Sequence, residues 1–173
     1  MFLDWDNFYL LVGGAAGALI GLMFVVATLT SEMNIESKRL VQGSRIYITP
    51  IVFHFGVVFV VSAMTAVPEL SSVAVAVVLA FLSASGLFYS AWTTIRLFHW
   101  KDPPPDLSDK VFYGIVPVIV YLALAVTAGA VWIAPANAPY PVGAIMLVLL
   151  LIGIRNAWDL ATFFSQEAPK KGE

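Results

Sequence analysis

The chain has 173 residues, of which 60% are hydrophobic and 12% charged, with a mean hydropathy of +0.89 and a formal net charge of −2. Soluble domains lie nearer 45–50% apolar and about 25% charged, so the composition excludes a disordered chain and a soluble enzyme, and the lack of a basic excess excludes a nucleic-acid binder. No cysteine and only two histidines occur, which excludes disulfides, a cysteine nucleophile, and thiolate or histidine-rich metal sites.

What remains is an all-α integral membrane protein whose first partner is the lipid bilayer. A bilayer-crossing helix needs about 20 predominantly apolar residues, and five such runs follow in chain order. The first, from Phe8 to about Leu29, is uncharged. It is too long for the apolar core of a cleaved signal, and the segment leading into it is acidic, so it is expected to stay as an anchor. It carries Gly13, Gly17 and Gly21 at spacing four, with Gly14 and Ala18 on an adjoining face. Small residues so spaced let two helix backbones approach closely in lipid, either within one chain or between subunits.

The second run, about 50–67, lies between Thr49-Pro50 and Pro68. Thr49 is expected to cap it, with Pro50 at the first helical position. The third, about 73–98, contains Ser83, Ser85, Tyr89, Ser90, Thr93 and Thr94. Its Ser83-Ala84-Ser85-Gly86 stretch faintly resembles the serine turn of an intramembrane protease, but no histidine stands at matching depth. The fourth, about 111–133, contains Pro117, which should kink it and free the carbonyl of Tyr113. The fifth, about 141–164, carries Arg155 and Asp159, and a second small-residue stripe of Gly153, Ala157 and Ala161. None of the runs alternates polar and apolar residues as barrel strands do. The links are short and hold no soluble domain, so residues 1–173 read as a single transmembrane domain.

An odd number of spans puts the termini on opposite sides. Lys38, Arg39, Arg45, Arg96, Lys101, Lys110, Lys170 and Lys171 share one side, and only Asp4, Asp6 and Glu69 occupy the other. Positive residues are retained in the cytoplasm, which predicts an outside N-terminus and a cytoplasmic C-terminus. The aromatic belts agree: Trp5, Tyr9, Trp132 and Tyr140 fall at expected outer ends, and Tyr47, Trp92, Trp100, Tyr113 and Trp158 towards inner ends.

The ninth basic residue, Arg155, falls inside a span, roughly 9 Å from the inner hydrocarbon edge at 1.5 Å per residue. A charge at mid-membrane costs on the order of 2.5–3.5 kcal/mol, less near the edge. Arg155 and Asp159 stand four apart and can pair, and Asp159 near a helix C-terminus needs a cation. Asn156 widens that face. The bland alternative is that Arg155 snorkels to the headgroups and Asp159 is already wet. His54 reads either as a hydrogen-bonded packing residue or as a protonatable group in an ion path. Haem ligation with His99 fits poorly, because His99 ends the third span. His54, Tyr89, Ser90, Arg96, Arg155, Asn156 and Asp159 all fall in the inner leaflet, which predicts a polar vestibule or a polar subunit interface there.

The fifth-span segment Gly153-Ile154-Arg155-Asn156-Ala157-Trp158-Asp159, the Gly-rich first span and the stretch Pro50-Ile-Val-Phe-His-Phe-Gly56 resemble a group of small bacterial multi-pass membrane proteins that have no assigned activity. That resemblance implies a bacterial inner-membrane setting and assigns no site roles. The expectation is therefore a non-enzymatic homo-oligomer without metal or cofactor, with an inner-leaflet path for ions or small solutes gated by Arg155 and Asp159. The alternative is an accessory subunit of a larger membrane complex, docked through its glycine stripe. A lipid- or cofactor-handling role is a more distant third.

Overall fold

A computed structural model describes residues 2–32, 38–101 and 104–167, side chains excepted at 3, 29–32, 38–46 and 163–167. Among these residues there are no strands, and five helices are long and apolar enough to cross a membrane. Helices suit lipid because every backbone hydrogen bond closes within the segment. They are α1 (Asp6–Glu32), α2 (Lys38–Thr65), α3 (Ser72–His99), α4 (Leu107–Ile133) and α5 (Pro139–Glu167). Short 3-10 turns at Leu3–Trp5 and Pro135–Asn137 precede α1 and α5.

The helices overrun the apolar runs that announce them. Thr49 does not cap α2, and Pro50 does not open it: α2 begins at Lys38 and carries Pro50 in its interior. Hydropathy marks only the lipid-crossing part of a helix, whereas Lys, Arg, Leu and Gln are good helix formers that extend it into water. Lys38, Arg39 and Arg45 lie on that extension with side chains outside the described set, and Lys170, Lys171 and Pro103 lie outside the described residues. At the start of α3, Ser71 is the cap. Its Oγ accepts from the Ala74 N–H at 3.2 Å, satisfying one of the orphan donors of the first turn.

α4 changes register along its length. Leu107–Asp109 is α-helical, Lys110–Ile115 is a π segment, and Val116–Ile133 is α-helical again. The Val116 N–H bonds Val111 O, five residues back. In that register the carbonyl that Pro117 cannot serve is Phe112's. α spacing points to the Tyr113 carbonyl, and the π register adds the Phe112 carbonyl one residue before it.

α2 is the most buried of the five and α1 the least. α2 packs on α1, α3 and α5, while α4 packs on α3 and α5. Close approaches are made at glycines. A Cβ at Gly13 would stand 2.6 Å from Ser62 Cβ, one at Gly86 would meet the Tyr121 ring, and one at Gly153 would meet the Phe55 ring. In the α1 stripe, Gly13 and Gly17 face Ser62 and Phe59 of α2, so these two pack within the chain, whereas Gly21 has nothing within 4 Å. In the α5 stripe Gly153 is buried, Ala157 half-buried and Ala161 exposed.

The bundle has an acidic and a basic end. Asp6 of α1 and Glu69 after α2 line one pocket. At the opposite end α3 finishes with Arg96, and Lys101 and Lys110 precede the body of α4. Tyr9 departs from the belt expectation: it is fully buried and its hydroxyl donates to Pro139 O at 3.0 Å, tying α1 to α5. Trp132 and Tyr140 are exposed, as belt residues must be.

Candidate functional site: a polar knot at the basic end

The π segment determines what gathers at the basic end. With no N–H on Pro117, the Phe112 carbonyl has no helical donor. Asn156 of α5, fully buried, supplies one: its Nδ2 donates to Phe112 O at 3.2 Å. In return, the Tyr113 hydroxyl donates to the backbone carbonyl of Asn156 at 2.8 Å. Two antiparallel helices thus exchange hydrogen bonds at one level. A buried amide earns its place here because it satisfies a carbonyl that lipid could not.

Arg155 completes the knot. One guanidinium nitrogen donates to Asn156 Oδ1 at 3.0 Å and another to Ser108 Oγ at 2.7 Å. The guanidinium carbon lies 4.2 Å from the centroid of the Phe112 ring, a stacking that suits its planar, weakly hydrated cation. Among the described residues Arg155 makes no ion pair with Asp159, so the paired gate expected from the four-residue spacing is not closed. An arginine preceding an acid by four is the weaker order on a helix. Here Ser108 and Asn156 offer fixed acceptors on a half-buried route towards the helix ends, and Asp159 is exposed. Arg155 does snorkel, but along a built path.

α2 joins through Tyr47, whose hydroxyl donates to Asp109 Oδ2 at 3.3 Å and whose ring meets Tyr113 edge-on at 4.9 Å. Asp109 also lies within reach of the charges of Asp159, Asp106 and Arg155. Tyr47, Ser108, Asp109 and the hydrogen-bonding role of Tyr113 were not legible as site residues. The one signal available was Pro117 itself, whose missing donor had to be matched by a polar group at the same depth.

The remaining expected residues make their contacts elsewhere. His54 Nδ1 is 2.8 Å from the Tyr121 hydroxyl, both side chains being buried, and His54 Nε2 has no hydrogen-bond partner among the described residues. Ser90 bonds back to Gly86 O at 2.7 Å, the common fate of serine in membrane helices. Tyr89 packs on Phe53 and Trp92 and reaches the Thr49 side chain. Arg96 is exposed, with its guanidinium 4.1 Å from the Trp92 centroid. The described contacts of the seven residues therefore fall into separate groups. Arg155 and Asn156 form the knot, His54 and Tyr121 a separate buried pair, and Arg96 a surface stack.

One lipid-facing feature escaped the sequence reading. Between α3 and α4 runs a shallow groove of about 590 Å³, lined by Ala76, Ala80 and Ala84 of α3 and by Ala125 and Gly129 of α4. Both rows have the four-residue spacing of the small-residue stripes on α1 and α5.

Comparison with protein-family models, with curated proteins and with solved structures finds no match. The likeness to small multi-pass membrane proteins is carried by the five apolar helices alone.

Proposed function

We propose that this protein is a non-enzymatic subunit of a bacterial inner membrane that works by lateral assembly with copies of itself, its N-terminus outside and its C-terminus cytoplasmic. The path for ions or small solutes then runs between subunits. Within one chain the polar groups of the basic end are spent on one another, which leaves little to line a route through the middle. The observation that carries the reading is the alanine-lined groove between α3 and α4. The outward face of α1, where Gly14, Ala18 and Gly21 are exposed, is a complementary small-residue surface on another side of the bundle. A surface that docks on a different surface of the next copy closes into a ring when the rotation allows it, and small residues supply the close helix contact that lipid otherwise fails to drive.

The absence of native cysteine makes the test clean. Ala18 and Ala84 each lie twelve residues into their helices from the acidic end. The double variant Ala18→Cys/Ala84→Cys should give a ladder of disulfide-linked multimers in membranes, and each single variant should stay monomeric. A monomeric native mass in mild detergent with no ladder overturns the reading. Comigration with other chains instead favours the second reading, an accessory subunit of a larger complex, which uses the same groove for a different partner. Orientation is tested with an impermeant maleimide on intact cells, which should label Asn137→Cys and not Lys101→Cys.

A further inference from the structure

The acidic end holds a pocket of about 810 Å³ between the first turns of α1, the last turns of α2 and the turn that follows. That volume falls within the range of sites for drug-sized ligands. Asp6 and Glu69 stand at its rim, both exposed. Its walls are mainly apolar and include Phe59, which is 47% exposed. Ser62 also lines it, is only 6% exposed, and its hydroxyl has no hydrogen-bond partner among the described residues.

The charge around this pocket is one-sided. Among the described residues the lysines and arginines lie towards the other end of the spans, and Asp4, Asp6 and Glu69 have no basic neighbour on their own side. Two carboxylates beside a low-dielectric wall attract a cation more strongly than they would in water. Phe59 adds an aromatic face of the kind that ammonium and phosphonium groups prefer. Glu69 also adopts a φ of 52°, a left-handed conformation that glycine occupies at lower cost. The turn alone gives no reason for a glutamate there, whereas a required carboxylate does.

We propose that this pocket binds a lipophilic organic cation, with Asp6 and Glu69 holding the charge and the walls around Phe59 and Ala63 taking the apolar body. Entry is from the side, where Leu10 and Phe59 are exposed, so the ligand partitions into the leaflet before it binds. The pocket shares no residue with the groove between α3 and α4, and of the α1 face used in the assembly reading it shares only Gly14, so binding is scored separately from assembly.

The experiment uses the full chain in nanodiscs of zwitterionic lipid, with empty discs to subtract partitioning. Tetraphenylphosphonium is the probe, and tetraphenylborate, of the same shape and opposite charge, is the control. Equilibrium dialysis should show one saturable tetraphenylphosphonium site per chain, and tetraphenylborate should only partition. Asp6→Asn with Glu69→Gln should weaken the site at least tenfold. Ala63→Trp, at an exposed wall position, should abolish it with no change in melting temperature. The proposal is overturned by non-saturable phosphonium uptake equal to that of empty discs, by equal saturable binding of the borate, or by binding that survives both variants.

Discussion

At the basic end, Asn156 bonds the Phe112 carbonyl and Arg155 at once, and Arg155 goes on to Ser108. At the acidic end, Asp6 and Glu69 stand at a pocket rim and the Ser62 hydroxyl below them has no partner among the described residues. The difference lies in what the backbone asks for. A proline in α4 leaves a carbonyl that must be satisfied inside lipid, so polar side chains there are recruited to hold helices together. At the acidic end no proline interrupts α1 or the last turns of α2, and Gly13 lets the helices touch at Ser62. The exposed carboxylates Asp6 and Glu69 at that end remain available to something outside the chain.

If the knot is the structural end, the largest loss of stability should follow Asn156→Ala. It strips the donor from the buried Phe112 carbonyl and the acceptor from Arg155. An unsatisfied buried group costs about 1–3 kcal/mol, and thermal unfolding in detergent should show a loss near the upper part of that range. An unchanged melting temperature would mean that the knot is not holding α4 to α5.

Next in size is Gly86→Ala. Its Cβ would enter the ring of Tyr121, which is fully buried and holds His54. Overpacking of this kind costs about 1–3 kcal/mol, so a loss of about 1–2 kcal/mol is expected. Gly14→Ala at the open end is the matched control. Nothing lies within 4 Å of the added methyl, and unfolding should show no loss. Equal losses at the two glycines would erase the contrast between a closed and an open region.

These two glycines also show how far the sequence could be read. Five spans, their order and the segregation of charge followed from hydropathy and from where lysine and arginine fall, because lipid imposes length and polarity on each helix separately. Which glycine faces a neighbour did not follow, since it depends on helix rotation, and Gly13 and Gly14 differ there by a single residue. The site was half legible for a related reason. Arg155 and Asn156 stood out as polar residues in an apolar run, but their partners Ser108, Phe112 and Tyr113 lie more than 40 residues away. They are brought into line only by the register change that Pro117 imposes. His54, at a similar apparent depth, goes to Tyr121 because depth does not fix which face of α2 it occupies.

A third change tests the cause of the knot. Pro117→Ala restores an N–H able to bond Phe112 O, so the carbonyl no longer depends on Asn156. In that background Asn156→Ala should cost less than in the native chain, by about 1 kcal/mol. That is the size of coupling found for residues sharing one hydrogen-bond network. Strictly additive losses would show that the π segment and Asn156 are independent features, and the distinction between the two ends would then rest on packing alone.

The smallest expected effect is at Asp159. The four-residue spacing suggested a partner of Arg155, and Asp159→Asn would then break an ion pair inside the membrane and destabilise the fold. In the structure Arg155 is held by Ser108, Asn156 and the Phe112 ring, and Asp159 is exposed. Surface substitutions away from bonded networks stay within about 0.5 kcal/mol, so Asp159→Asn should leave the unfolding transition where it is. Its effect should appear only where copies meet. On the proposed reading, in which a path for ions runs between subunits past Asp159, the variant should alter cation flux in liposomes containing the assembled protein. A large fall in melting temperature would instead put Asp159 back with Arg155, and the basic end would no longer be closed upon itself.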